Sequence, residues 1–171
     1  VNGYYLYLVA RSYSNPESAS VRAMYLRRVL RNYPDVSADG SSTHLLALQE
    51  LVEIVDDPVE RVGYYRQLLE RFSDRLDTGE LYYRLAENLE AAGDWHEAYD
   101  AYREFLKYPE TRIPGTPQVH REVSQKLAFY DSGKGWTMEN LDDLVSEIKR
   151  AIYLQNTPLL LRYRAGTSFF T

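Results

Sequence analysis

The residues most able to do chemistry here are three histidines, His44, His96 and His120, and a scatter of carboxylates. A metal site needs such ligands at helical-turn or short-loop spacing, and none of the three histidines has a His or Cys partner there. The chain has no cysteine, which excludes disulfides and thiolate metal ligation and says nothing of compartment. The tightest acidic pairs, Asp56-Asp57 and Asp142-Asp143, sit near expected helix N-termini, where negative charge suits the helix dipole. Ser132-Gly133-Lys134-Gly135 has the composition of a phosphate loop. It lacks the preceding strand, the following helix and the Ser or Thr after the lysine. No Gly-x-Ser-x-Gly elbow and no Cys/His pair is present. Glu87 and Glu90 are spaced for acid–base work, but Glu is also the ordinary filler of an exposed helix. The expectation is a protein that is not an enzyme, with no cofactor and no metal.

Composition bounds the rest. The 171 residues are 44% hydrophobic, enough for a core in one domain, or in one domain and part of another. A net charge of −5 and a pI near 5.3 argue against nucleic-acid and anionic-membrane surfaces, which need a basic footprint. No run of about 18 apolar residues exists to span a bilayer, so direct membrane insertion is not expected. Val1-Asn2-Gly3 has neither a basic region nor an initiating Met, and Ser168-Phe169-Phe170-Thr171 ends without a polar tail. Both ends lead us to expect a fragment of a longer protein. Tyrosine is abundant, at 16 residues, and its amphipathic ring suits both a helical core and a binding surface. Arginine outnumbers lysine 16 to 4, which ordinary base composition accounts for.

The elements that must position these residues are clearest over 80–109, ELYYRLAENLEAAGDWHEAYDAYREFLKYP. Tyr82, Leu85, Ala86 and Leu89 recur at the spacing of one helix face. Gly93 supplies a positive-φ stop. Asp94 is the expected N-cap of a second helix, with Glu97 as its capping-box partner. That helix should bury Trp95, Ala98, Tyr99, Tyr102, Phe105 and Leu106, and Pro109 should end it. Upstream, Val29-Leu30 and Leu68-Leu69 fall in register with Phe105-Leu106, at intervals of 39 and 37 residues. In the first unit Leu6, Val9, Ala10 and Tyr13 form the stripe, and Asn15-Pro16 the turn. In the second the stripe is Leu45, Leu48, Val52 and Val55, followed by Asp56-Asp57-Pro58 and then Tyr65, Leu68, Leu69 and Phe72. Gln49 and Arg61 stand where small residues are expected.

This pattern resembles the tetratricopeptide repeat, carried here by Tyr82, Leu85, Ala86, Leu89, Ala98, Tyr102 and Pro109. Phe105 departs from the family's usual Ala, Pro109 comes one residue early, and the spacings exceed the family's roughly 34 residues. The resemblance implies an all-α fold, a right-handed superhelical stack of antiparallel helix pairs. Residues 1–112 would hold three repeats, about 3–39, 42–76 and 79–112. Residues 113–157 would form a divergent helical pair or capping helices, because a stack must close its last apolar face. There, a helix over 118–130 carries Val119, Val123, Leu127 and Tyr130. A second over 138–154, capped by Thr137, carries Leu141, Leu144, Val145, Ile148 and Ile152. Residues 158–171 would be a tail, read as a short helix or as the strand that opens a further domain, with a slight lean to helix.

The endings Leu30-Arg31-Asn32-Tyr33-Pro34-Asp35 and Phe105-Leu106-Lys107-Tyr108-Pro109-Glu110 are similar to those of bacterial cell-envelope members of the family. That similarity favours a periplasmic or cell-envelope location over a cytoplasmic one. The family also implies a concave wall made by first-helix residues: Tyr4, Tyr7 and Arg11, then Leu46, Glu50 and Glu53, then Tyr83, Glu87 and Glu90. It is aromatic at one end and acidic at the other, and would suit a peptide with an apolar anchor and basic residues. The alternative is that the tyrosines are core and the glutamates merely solvated. The implied function is a non-catalytic scaffold that binds a protein or peptide partner, as a module of a larger bacterial protein. The second reading is a repeat domain accessory to a catalytic or ligand-binding domain outside the chain. Nothing in the sequence sets the oligomeric state.

Overall fold

The computed structural model describes residues 3–38, 40–131 and 141–162. The protein is all-α and divides into two compact units, Val1–His120 and Arg121–Thr171. The first unit contains α1 (Gly3–Ser12), α2 (Ala19–Asn32), α3 (Thr43–Ile54), α4 (Pro58–Phe72), α5 (Thr78–Ala92) and α6 (Trp95–Phe105). Each helix packs on the next in sequence, and α1 also reaches α3.

The starts and stops follow local chemistry. Asn15 accepts a hydrogen bond from the Glu17 N–H at 3.1 Å and opens a short 3-10 turn, Pro16–Ser18, ahead of α2. Asp57 caps α4 by accepting from the Val59 N–H at 3.0 Å, with Pro58 at the first helical position where its missing N–H costs nothing. Asp77 caps α5 in the same way through the Glu80 N–H at 3.1 Å. Gly93, at φ 84°, ends α5: its N–H bonds to the Glu90 carbonyl, and the Asp94 N–H bonds back to that of Leu89. A two-residue antiparallel ladder not foreseen from sequence, β1 (Ser37–Ala38) with β2 (Ser41–Ser42), precedes α3. Ser42 then caps α3 through the Leu45 N–H at 3.0 Å.

The core runs through the helices in register. Val29, Leu68 and Phe105 are fully or almost fully buried, while Leu30, Leu69 and Leu106 beside them are half-buried. The three pairs share one burial pattern. Leu26, Leu48, Leu51 and Ala98 are likewise sealed from solvent. Each large aliphatic chain so buried contributes about 1.5–3 kcal/mol.

Several expectations need correction. The buried stripe of α1 is Gly3, Leu6, Tyr7 and Ala10. Val9 is exposed at 41%, because the stripe of α1 runs through Tyr7 and leaves it outside, and Tyr13, exposed at 37%, lies beyond the end of the helix. Tyr13 stacks instead on Tyr25, centroids 5.7 Å apart. In α6, Trp95 is 54% exposed and Ala101 is buried. The Asp94–Glu97 capping box does not form: Asp94 makes no side-chain cap, and Glu97 is drawn to Arg66 of α4. Helix α6 ends at Phe105, ahead of Pro109, by a tightening of its last turn in which the Tyr108 N–H bonds to the Phe105 carbonyl at 2.9 Å.

Helix α7 (Val119–Tyr130) straddles the division between the units. It buries Val119, Val123 and Leu127, but Tyr130 is exposed at 41%. In the second unit α8 (Leu141–Tyr153) packs on α9 (Thr157–Arg162). Ala151 is buried there, whereas Val145 and Ile152, expected on the apolar stripe, are exposed. The sequence 132–135, the Thr137 cap and the tail beyond Arg162 lie outside the described residues. The part of the tail that is described, through Arg162, is helical.

Candidate functional site

An open cleft of about 720 Å³ lies in the first unit, between residues of α3, α4 and α5. Its floor is apolar, formed by Val52, Tyr65, Leu68 and Leu81, all buried. Its rim is polar. Gln49 and Glu53 come from α3, Arg61 from α4, and Glu80, Arg84, Glu87 and Asn88 from α5. Spacing on the helices explains the α5 set: residues 80, 84, 87, 88 and 91 follow the three- and four-residue repeat of one face.

The charges on the rim differ in their freedom. Arg84 Nη1 donates to Glu87 at 2.9 Å, and its Nε lies 3.8 Å from Glu80. Its guanidinium is thus spent largely within its own helix. Arg61 donates from Nε to the Val55 carbonyl and lies 3.8 Å from Asp56, so it closes the α3–α4 turn. Glu53 is exposed, and neither arginine is paired with it. Arg84, Glu80 and Glu87 thus engage one another, and Glu53 is the rim carboxylate that neither arginine engages. Burial raises the Tyr65 hydroxyl above its ordinary value, so at neutral pH it is an uncharged donor and acceptor.

The nine wall residues expected from sequence are not all brought to this cleft. Glu53 and Glu87 line it. Tyr7 is a core residue, 3% exposed, whose hydroxyl donates to Glu50 at 2.7 Å, so its place on an open wall is corrected. Burial, then the Glu50 carboxylate, pushes its pKa up to about 12. Glu50 is drawn inward by Arg22, whose Nε donates at 2.9 Å, and Arg11 lies 3.9 Å away. Tyr83 turns toward α6, its ring 6.0 Å from Tyr102 and 5.3 Å from Phe105. Glu90 accepts from the Tyr102 hydroxyl at 3.0 Å. Tyr4 and Leu46 are half-buried, and Tyr4 neighbours Tyr5 at 6.3 Å.

Gln49 and Arg61, not among the expected wall residues, also belong to the cleft. These are the positions where the repeat pattern asks for a small residue and this chain carries a long polar one. Both line the cleft, because a small residue lets two helices close up and a long one holds room open between them. Among the described residues no group of three His, Cys, Asp or Glu is placed to hold a metal ion, and no helix is long and apolar enough to cross a membrane.

Fold and site together define an all-α protein whose first unit packs its helices α1 to α6 in sequence and carries a polar-rimmed cleft among the described residues. No protein-family model, no curated protein and no solved structure matches the chain.

Proposed function

We propose that the protein is a non-catalytic scaffold of stacked tetratricopeptide-like helix pairs, wound as a right-handed superhelix. It takes a partner's peptide segment in the cleft between α3, α4 and α5. The observation that carries this reading is the disposition of charge around an apolar floor. Arg61 and Arg84 are engaged within the protein, Glu53 is not engaged by either, and Tyr65, Leu68 and Leu81 form a sheltered base. Such a site favours a segment with one apolar anchor flanked by lysine or arginine.

The test is selection from a random peptide library on the intact chain. Selected peptides should be enriched in an apolar residue beside basic ones. Their affinity should fall about tenfold or more with Glu53→Lys combined with Glu87→Lys, and weaken with added salt. Selection of acidic peptides, or affinity untouched by both substitutions, would overturn the assignment.

A further inference from the structure

One local arrangement occurs twice in the first unit and belongs to neither the cleft nor the general core. At the end of α2, Tyr33 is extended, with φ −129° and ψ 143°, as the following Pro34 requires. Its Cβ lies 2.9 Å from where a Cβ on Gly3 would stand, so the first turn of α1 can seat Tyr33 only as glycine. Its carbonyl lies 2.9 Å from Nε2 of His44, 11 residues on, in the first turn of α3. After α6 the same parts recur. Tyr108, before Pro109, has its Cβ 2.7 Å from the position a Cβ on Gly79 would take, in the first turn of α5. The Tyr108 carbonyl lies 3.1 Å from Nε2 of His120, 12 residues on, in the first turn of α7.

Each time a glycine at the start of a pair's first helix seats the tyrosine that follows its second helix. A histidine opening the next helix then binds that tyrosine's carbonyl. A carbonyl only accepts, so Nε2 carries the proton in both. At His44 the tautomer is fixed from the other side as well: Arg71 Nη2 lies 2.8 Å from Nδ1, and arginine only donates. Asp35, directly after Tyr33-Pro34, adds a second tie by accepting from the His44 N–H at 3.0 Å and the Ser42 hydroxyl at 2.6 Å. At the second site the His120 ring stacks on Phe105, centroids 4.6 Å apart, and the Tyr108 carbonyl also accepts from the Thr111 N–H at 3.2 Å. The link between α4 and α5 uses another part, Thr78 Oγ1 donating to the Ser73 carbonyl at 3.0 Å.

We propose that Gly–Tyr-Pro–His is a latch, used once after each outer helix pair, in which His44 and His120 are positioning residues that fix where the following helix begins. The latch does not depend on the peptide-binding reading of the cleft.

The test uses the full chain and four variants, His44→Ala, His44→Gln, His120→Ala and His120→Gln. Glutamine can place an amide N–H near Nε2 and a carbonyl oxygen toward Arg71, so it should restore what alanine removes. Nitrogen-15 NMR of the wild type should show both imidazoles as the Nε2–H tautomer at a pH where they are neutral. Amide exchange in the second turn of α3 should accelerate about tenfold in His44→Ala and return to within about threefold of wild type in His44→Gln. His120→Ala should loosen the second turn of α7 and leave α3 unchanged, with His120→Gln restoring it. An Nδ1–H tautomer at His44 would overturn the latch. So would a glutamine variant as loose as the alanine one, or one that fails to fold.

Discussion

Gly79 is set in the first turn of α5 with no room for a single methyl group. A Cβ there would lie 2.1 Å from Thr111 Oγ1 and 2.8 Å from Thr111 Cβ. Alanine is a better helix former than glycine by about 1 kcal/mol, so an exposed helical glycine would gain from the change. Here overpacking wins, because Thr111 is buried and tied to Asp77. Gly79→Ala should destabilise by about 1–3 kcal/mol, read as a lower urea midpoint at unchanged slope. Gly63, with nothing within 4 Å of the same position, is the internal control and should be neutral or slightly stabilised by alanine. Tyr7 and Tyr64 make a second residue-scale case. Burial leads, with Glu50 and Glu60 adding, and each hydroxyl is pushed up to about 12 from 10. A folded-state pKa raised above the unfolded one contributes stability that is complete below pH 10 and is lost as pH rises toward 12. Thermal melts should therefore fall between pH 10 and 12, and Tyr7→Phe with Tyr64→Phe should flatten that fall.

At the scale of elements, capping separates the helices that their sequences make look alike. Asp57, Asp77 and Asp94 each stand where an N-cap belongs, but only the first two accept from a backbone N–H. Asp57→Ala should cost about 1 kcal/mol and Asp94→Ala only a few tenths, measured in parallel denaturant titrations. Ala98, sealed in α6, sets a larger scale. Ala98→Glu adds bulk and an unpaired buried charge, and should cost at least about 3 kcal/mol. Unchanged stability would mean that the inner face of α6 is misassigned. Helix existence, turn positions and the fully buried positions Val29, Leu68 and Phe105 were legible in the sequence, because three- and four-residue periodicity and Gly, Pro and Asp punctuation are local signals. The outward turn of Trp95 and the loss of the Asp94–Glu97 box were not legible. Glu97 is taken by Arg66, a partner 31 residues away, and no local pattern announces a distant competitor.

For the molecule as a whole, the same division between local and distant causes decides what could be read of the cleft. Glu53 and Glu87 were visible as exposed first-helix positions. Tyr7 is core rather than wall, and Tyr83 and Glu90 are engaged with α6, because a side chain reads alike in core and groove until its neighbours are known. Glu50, Tyr102 and Phe105 proved to be those neighbours. The long side chains of Gln49 and Arg61 read as departures from a repeat pattern and line the cleft. The central claim is that this concavity is where a partner's basic, apolar-anchored segment docks. The most direct measurement is an NMR titration of the intact chain with a selected peptide of that kind. The expected result is amide and side-chain shifts concentrated at Glu53, Tyr65, Arg84, Glu87 and Asn88, fading as salt is raised. Shifts gathered instead on the shallow face of Arg66, Tyr82 and Arg103, or on α8 and α9, with the cleft silent, would contradict it.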